Sequence, residues 1–125
     1  AIVPHRGAGI AFTHDRRILL LHRSKLVQDP GVWNLPGGTI EPKEVPRQTA
    51  EREAREEAGP LPPYEITKAC PVPGYMTYVA PLQKPFAPRL NWESDSHRWV
   101  TIHEAKKLPL FRTLRALLDS GCFDE

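Results

Sequence analysis

Two short apolar runs near the start of the chain predict a pair of strands. Residues 9–12 read GIAF and residues 18–21 read ILLL, and the polar pair His14-Asp15 between them suits a tight hairpin turn. The second run is apolar at every position, whereas a strand with one solvated face alternates apolar and polar residues. We therefore expect the second strand to be buried on both faces.

A charged segment between Pro46 and Gly59 predicts a helix. Proline suits the first helical turn and glycine suits the position after the last one. The residues between them are mostly good helix formers. Alanines at positions 50, 54 and 58 form a stripe of small residues at i, i+4 and i+8, which allows the helix to lie close to a sheet.

The remainder of the chain predicts short strands and a second helix. The sequence has 14 prolines, and many of them fall in the second half, which should therefore be rich in loops. Further strands are expected at residues 65–70, 76–80 and 98–100. Residues 110–118 carry leucines at i, i+4, i+7 and i+8, which predicts an amphipathic helix that ends at Gly121. This order of elements predicts an α+β fold with helices over a mixed sheet.

Composition narrows the class of protein. A chain of 125 residues suits a single domain, here residues 1–125. The longest apolar stretch has about four residues, far from the roughly 20 of a membrane span, so no membrane partner is expected. A net charge of +2 gives little support for nucleic acid binding. Cys70 and Cys122 form no Cys-x-x-Cys pair, so we expect free thiols and a cytoplasmic location.

The glutamates of the predicted helix leave two interpretations open. At 100° per residue, Glu53, Glu56 and Glu57 fall within about 100° of one another on one face. Clustered carboxylates are favourable around a hard cation such as Mg²⁺, which takes oxygen ligands. A solvated helix held together by pairs such as Glu51–Arg55 accounts for the same residues.

The spacing of residues over a longer segment favours the interpretation as a cation site. From Gly38 to Pro60 the chain reads GTIEPKEVPRQTAEREAREEAGP, which is similar to the Nudix box, G-x5-E-x7-R-E-U-x-E-E-x-G-U, where U is bulky aliphatic or Ala. Pro60 departs from the expected aliphatic residue. The flanking segments at residues 19–24, 33–38, 91–93 and 98–100 also resemble those of the Nudix hydrolases.

This resemblance implies a fold, an activity and a cofactor. The fold would be an α/β/α sandwich with a central mixed sheet and flanking helices. The activity would be metal-dependent hydrolysis of a diphosphate bond in a nucleoside diphosphate linked to another group, with Mg²⁺ or Mn²⁺. A nucleotide sugar or alcohol, a nucleoside triphosphate or a dinucleoside polyphosphate would be the substrate. The alternative is a non-catalytic nucleotide-sensing module, and a homodimer stays open.

The resemblance also implies residue roles. Glu53, Glu57 and the carbonyl of Gly37 would bind the metal, and Glu56 would be a further ligand or a water-activating base. Arg52 cannot act as a base, since a guanidinium is always protonated, and by the resemblance it would orient the neighbouring carboxylates. Glu44 would complete the metal shell or interact with the helix dipole. A further loop acid is expected at Glu93, with Asp95 as its alternative.

Substrate-binding residues are predicted from residue type. Trp33, Tyr75, Tyr78 and Trp92 could stack on a base or sugar, although such a residue is more often part of the core. Arg23 could hold a phosphate, although it could equally be an ordinary surface cation. The histidines show no metal-binding spacing and receive no role.

Overall fold

The computed structural model describes residues 6–123, which form one mixed sheet with helices on both of its faces. None of the helices in this range is long and apolar enough to cross a bilayer. In chain order the elements are β1 (Gly7–His14), β2 (Arg17–Arg23), β3 (Trp33–Asn34), β4 (Gly37–Thr39), α1 (Pro46–Ala58), β5 (Lys68–Val72), β6 (Tyr75–Pro81), β7 (Ser94–Thr101), α2 (Ile102–Ala105) and α3 (Arg112–Asp119).

Strands β1 and β2 separate beyond their turn, which leaves a gap in the sheet. The two strands pair only beside their turn, at Thr13–Ile18 and His14–Arg17. Beyond that point β4 pairs with β1 and β3 pairs with β2. On the outer sides, β6 runs parallel to β1 and β7 runs antiparallel to β2. The short strands β3 and β4 therefore occupy the opening, and Gly37 lies at its edge.

Two apolar layers cover the faces of the sheet, which confirms the expected α/β/α sandwich. Ile10 and Phe12 pack in the layer that contains Ala50 and Ala54 of α1. The opposite layer contains the leucines of α3. Residues 18–21 of β2 alternate between the layers and are at most 2% exposed. The prediction that this strand is buried on both faces is confirmed.

The helix and strand boundaries differ from the predicted ones in places. The hairpin turn lies at Asp15 and Arg16, one residue later than predicted, and both have a left-handed backbone, with φ of 49° and 63°. The strand expected at residues 65–70 is β5, at Lys68–Val72. Helix α3 begins at Arg112, because Leu110 instead forms a parallel bridge with Trp33.

The prediction of free cysteine thiols is wrong. Cys70 in β5 and Cys122, which follows α3, form a disulfide with their Cα atoms 6.2 Å apart. A sequence separation of 52 residues gives no local signal of this pairing. The two cysteines meet because α3 packs against β5.

Candidate active site

Helix α1 carries two glutamates of the site and lies directly on the sheet. Its alanines at 50, 54 and 58 are fully buried, and this stripe of methyl groups allows the helix to lie close to the strands. The helix contacts β1 and β4. Glu53 and Glu57, one turn apart, therefore lie against Gly38 and Gly37 of β4.

Glu53, Glu57 and Glu93 bring their carboxylates together. One oxygen atom of each lies within 4.8 Å of the other two. Glu57 is only 6% exposed, and the other two are half-buried. Glu93 lies in the loop before β7. Because β7 pairs with β2, this loop lies at the end of the sheet where β1 and β2 have separated. Three like charges this close repel one another strongly where little water is present.

The pKa values reflect this repulsion. Burial raises the pKa of Glu57 well above its ordinary value, and the neighbouring Glu53 and Glu93 raise it further. Burial also raises the pKa of Glu93, followed by the charge of Glu53. Without a cation, the cluster therefore retains protons above the ordinary carboxylate range.

Two glycines allow the close approach of the helix to β4. A side chain at position 38 would collide with Glu53, whose Cδ atom lies 2.5 Å from the position of a Cβ. A side chain at position 37 would meet the Tyr75 hydroxyl, at 2.1 Å, and the Ala8 carbonyl, at 2.6 Å. The Gly37 amide donates a hydrogen bond to Oε2 of Glu57 at 3.2 Å. Steric exclusion thus explains both glycines.

Arg52 joins the carboxylates around the start of α1. Its Nε donates to Oε2 of Glu44 at 2.8 Å, and its Nη1 donates to Oε1 of Glu53 at 2.9 Å. Hydrogen bonds from Arg52 and then Thr49 lower the pKa of Glu44 to about 2. The Glu44 oxygens also accept a bond from the Glu41 amide. Glu44 is therefore engaged by the helix start, and Arg52 fixes the orientation of Glu53.

Glu56 lies at the rim of the site. Its side chain is 51% exposed, and its Oε1 lies 3.5 Å from Nη1 of Arg52. Its charge is near enough to raise the pKa of Glu93. Among residues 6–123, the compact group of possible metal ligands consists of Glu53, Glu57 and Glu93 without Glu56.

The structure separates the two candidate loop acids. Asp95 accepts a hydrogen bond at Oδ1 from Nδ1 of His22, at 2.6 Å, and another from Ser96. The bond from His22 is the main reason that the pKa of Asp95 is lowered. Glu93, two residues earlier, faces Glu53 and Glu57 instead. Of the two acids, Glu93 therefore lies in the carboxylate cluster and Asp95 lies outside it.

The predicted substrate-binding residues lie in different surroundings. Trp33 is a core residue, 9% exposed, with the His22 ring 4.8 Å away and Arg98 over its face at 5.8 Å. Tyr78 is half-buried on the α1 side of β6. Trp92 is 62% exposed beside Glu93.

Arg23 is occupied by the loop that follows β2. Its Nε and Nη2 donate to the backbone carbonyl of Gln28 at 2.8 and 2.5 Å. Its guanidinium also lies over the Phe111 ring at 5.0 Å. Arg23 therefore shapes this loop in the structure.

Tyr75, one of the aromatic residues predicted either to stack on a base or to belong to the core, is a buried residue beneath the site. Its ring fills the space left by the glycines at positions 7, 9 and 37, and its hydroxyl has no hydrogen-bond partner among the described residues. Burial and then the charges of Glu57 and Glu53 raise its pKa. The two glycines that alternate with Ala8 in β1 are the sequence signal that could have indicated a large side chain crossing the strand.

The donor set fits a hard divalent cation. Carboxylate oxygens are the ligands that Mg²⁺ and Mn²⁺ prefer in proteins. A cation would also relieve the repulsion that holds the pKa values of Glu57 and Glu93 high. Glu53, Glu57 and Glu93 would hold it, with the carbonyl of Gly37 on the adjoining strand.

The fold and site together define an α/β/α protein with a carboxylate cluster at the open end of its sheet. The family model of the NUDIX domain matches residues 3–119. The chain belongs to the Nudix family, as the box resemblance predicts.

Named relatives agree with this family. Over 104 residues the chain is 36% identical to "Putative 8-oxo-dGTP diphosphatase 3" of Mycobacterium tuberculosis, a match of 74% of the chain and 48% of that protein. It is 31% identical to "Bis(5'-nucleosyl)-tetraphosphatase [asymmetrical]" of Mus musculus, over 71% of the chain and 69% of that protein. The chain thus spans about half the length of the mycobacterial relative.

Solved structures share the fold. RenU, a Nudix hydrolase from M. smegmatis, superposes with a TM-score of 0.74 at 29% identity, covering 93% of this chain and 82% of RenU. An Ap4A hydrolase of C. elegans superposes with a TM-score of 0.74 at 24% identity, covering 92% of this chain and 94% of that one. The expected Nudix-type sandwich is confirmed.

Proposed function

We propose that this protein hydrolyses a diphosphate bond in a nucleoside diphosphate derivative, with Mg²⁺ or Mn²⁺ as cofactor. The observation that carries the proposal is the cluster of Glu53, Glu57 and Glu93, whose oxygens lie within 4.8 Å of one another. The cluster combines burial with negative charge, an arrangement suited to a divalent cation and its anionic substrate. Membership of the Nudix family supports the same reaction.

When bound, the metal ion would lower the pKa of water and offset the charge that develops on the phosphoryl oxygens. Glu53 and Glu57 hold their positions through Arg52 and the Gly37 amide, respectively. Glu93 accepts a proton from the attacking water. An oxygen of Glu93 lies within 4.8 Å of the Glu53 and Glu57 oxygens, which brings this carboxylate close to water held at the cluster.

The proposed reaction is a hydrolysis of the diphosphate bond. The water oxygen forms a new bond to one phosphorus, and the bridging P–O bond breaks. The bridging oxygen leaves on the second phosphate with its electron pair. Glu93 then returns the proton to solvent. Glu56, at the exposed rim, is the alternative proton acceptor, because its charge lies close to Glu93.

The relatives suggest which substrates to test first. Their names specify an 8-oxo-dGTP diphosphatase and an asymmetrical bis(5'-nucleosyl)-tetraphosphatase. Both names describe nucleotides with a phosphate chain, so nucleoside triphosphates and dinucleoside polyphosphates lead the panel. Nucleotide sugars and alcohols complete it. Trp92, which is exposed beside Glu93, stacks on the base of the substrate in this proposal.

A phosphate-release screen over these nucleotide classes tests the proposal, with inorganic pyrophosphatase added for the triphosphates and a phosphomonoesterase added for the bridged nucleotides, so that the products release phosphate. The protein is first freed of metal with a chelator and then assayed with and without Mg²⁺. We expect turnover of at least one class that depends on the added metal. Binding of nucleotides without turnover in Mg²⁺ or Mn²⁺ would favour the non-catalytic sensing module instead.

Domain organisation, assembly and location complete the proposal. The match over residues 3–119 supports one domain, of which residues 1–5 and 124–125 lie outside the described part. Light scattering would test the homodimer. The cytoplasmic location stays a prediction, and the disulfide bears on it because disulfides persist mainly in oxidising compartments. Thiol trapping in intact cells would show whether Cys70 and Cys122 are oxidised there, and so whether the compartment is oxidising or reducing.

A further inference from the structure

One buried side chain, Ser24, attaches the Trp92-Glu93 segment to the end of β2. Its Oγ donates a hydrogen bond to the Trp92 carbonyl at 2.8 Å. Its amide donates to the Glu93 carbonyl at 2.9 Å. The same Oγ accepts a bond from the Leu26 amide at 3.2 Å, and Ser24 is only 7% exposed. Both carbonyls of this dipeptide are therefore fixed by a single residue.

Glu93 needs such a restraint because other forces oppose its position. Its carboxylate lies beside those of Glu53 and Glu57, which repel it when all are ionised. The preceding Trp92 is 62% exposed, so it contributes little packing. The Glu93 amide is bonded to Oδ1 of Asn91 at 3.0 Å, a contact within the loop that does not attach the loop to the fold.

Strand register alone does not provide the attachment. The pairing of β2 with β7 ends at Arg23 and Ser94 and contains an irregularity between His22 and Arg23. Beyond this last pair, the Ser24 hydroxyl adds a contact that the backbone ladder lacks. A hydroxyl that donates and accepts at once holds two loops with a single buried group.

We propose that Ser24 is a positioning residue that holds Glu93 within the carboxylate cluster. This inference rests on the proposed function, since it assigns Glu93 a part in hydrolysis. Ser24 lies outside the cluster itself and acts through the backbone of residues 92 and 93. A misplacement of about 1 Å can cost about 100-fold in rate, so the loss of one such bond should be measurable.

The test compares Ser24→Ala with a matched control, Ser120→Ala. The Ser120 Oγ also donates to a carbonyl, that of Leu117 at 2.5 Å, and accepts from an amide, that of Cys122 at 3.3 Å, but it lies at the end of α3. We expect Ser24→Ala to lower kcat by about 10- to 100-fold, whereas Ser120→Ala stays within about threefold of wild type. Ser24→Thr retains the hydroxyl and should restore most of the rate.

A double variant separates positioning from general damage. If Ser24 acts through Glu93, the Ser24→Ala/Glu93→Gln protein should be no slower than Glu93→Gln alone, because the group being positioned is already lost. Losses that multiply would overturn the proposal. So would a Ser24→Ala protein whose kcat stays within about threefold of wild type.

Amide hydrogen exchange gives a readout that needs neither metal nor substrate. Ser24 does not bond the Glu93 amide, so this amide should exchange faster in Ser24→Ala only if the loop itself loosens. Unchanged exchange at Glu93 would overturn the inference even if activity fell. If the wild-type protein hydrolyses no nucleotide, the proposed function fails, and the exchange result still decides whether Ser24 restrains the loop.

Discussion

At the scale of single residues, Glu57 has the most unfavourable environment in the cluster. It is 6% exposed, and its charged neighbours include Glu53 and Glu93. The Gly37 amide is the one contact that favours its ionised form among the causes that shift its pKa. Such a residue costs stability in the metal-free protein and becomes useful when a cation is present.

Replacement of Glu57 by Gln should therefore lower the activity without lowering the stability of the metal-free protein. We expect kcat at saturating Mg²⁺ to fall by at least about 10³-fold, because a displaced metal loses several kcal/mol of charge stabilisation. In a chelator, the thermal midpoint should hold or rise at neutral pH. Steady-state kinetics and thermal melts measure the two effects.

The pH dependence of this difference follows from the sign of the shift. The pKa of Glu57 is raised in the folded state, so wild-type stability is retained below the ordinary carboxyl pKa of about 4.5 and is lost as pH rises through the raised value. Glu57→Gln lacks this loss, so the two proteins should converge at low pH. Glu51→Gln, on the same helix, is the control. Activity of the Glu57→Gln protein within about tenfold of wild type, at saturating Mg²⁺, would contradict the role of Glu57 as a ligand.

Glu93 and Asp95 offer a second residue-scale test. Glu93→Gln should lower kcat by about 10²- to 10⁴-fold with little change in KM, the range for a positioned acid–base group. Asp95→Asn should cost little, because its carboxylate is occupied by His22 and Ser96. Both variants are measured with one substrate and one metal concentration. Loss of activity in Asp95→Asn alone would place the loop acid two residues later.

At the scale of elements, the start of α1 depends on an ion pair. Val45, the N-cap residue, makes no side-chain capping bond. Instead, Glu44 accepts bonds from Thr49 and from Arg52, at 2.6 and 2.8 Å. A carboxylate just before a helix N-terminus is also favoured by the helix dipole. Glu44 thus links the preceding loop to two turns of α1.

Glu44→Gln should make the metal-free protein less stable at neutral pH. The pKa of Glu44 is lowered to about 2, so its contribution is present above the unfolded value of 4.5 and is lost as pH falls through about 2. The difference between wild type and variant should therefore shrink across this window. Urea unfolding at several pH values measures it.

Glu41→Gln is the matched control for Glu44→Gln. Its side chain is 64% exposed and lies 3.7 Å from Arg52, so it should change stability little. A stability difference between Glu44→Gln and wild type that stays constant from pH 7 to pH 2 would contradict the assigned pKa shift.

At the scale of the whole molecule, the disulfide joins β5 to the segment that follows α3. Cys70 and Cys122 both pack against the α3 layer, whereas the carboxylate cluster includes residues of α1 on the opposite face. The disulfide should therefore stabilise the fold without taking part in catalysis. A cross-link between residues 52 positions apart restricts the unfolded chain.

Removal of both cysteines, as Cys70→Ala/Cys122→Ala, should lower the free energy of unfolding by about 2–4 kcal/mol. The value of kcat at 25 °C should stay within about threefold of wild type. Chemical denaturation and the same phosphate-release assay measure the two quantities. Reduction of the wild-type disulfide is the control and should give a similar loss of stability. Full alkylation of two thiols in the untreated protein would contradict the disulfide.

The sequence by itself determined the local features of this protein. The helix at Pro46–Ala58, the buried strand at residues 18–21 and the spacing of Glu53 and Glu57 follow from periodicity within a few turns, where neighbours along the chain are neighbours in space. The family also follows, because its box is one continuous segment that includes α1. The short helix α2 was missed, although Thr101 and Glu104 form a local capping box at its start.

Only the tertiary structure decided which distant residues lie together. The pairing of β2 with β7 brings Ser24 to the loop that carries Glu93. In this loop the Asp95 carboxylate contacts His22, whereas the Glu93 carboxylate lies beside those of Glu53 and Glu57. The packing of α3 on β5 likewise decided the disulfide. Such contacts depend on strand order and register, which are set by the burial of the whole core and leave no mark in local spacing.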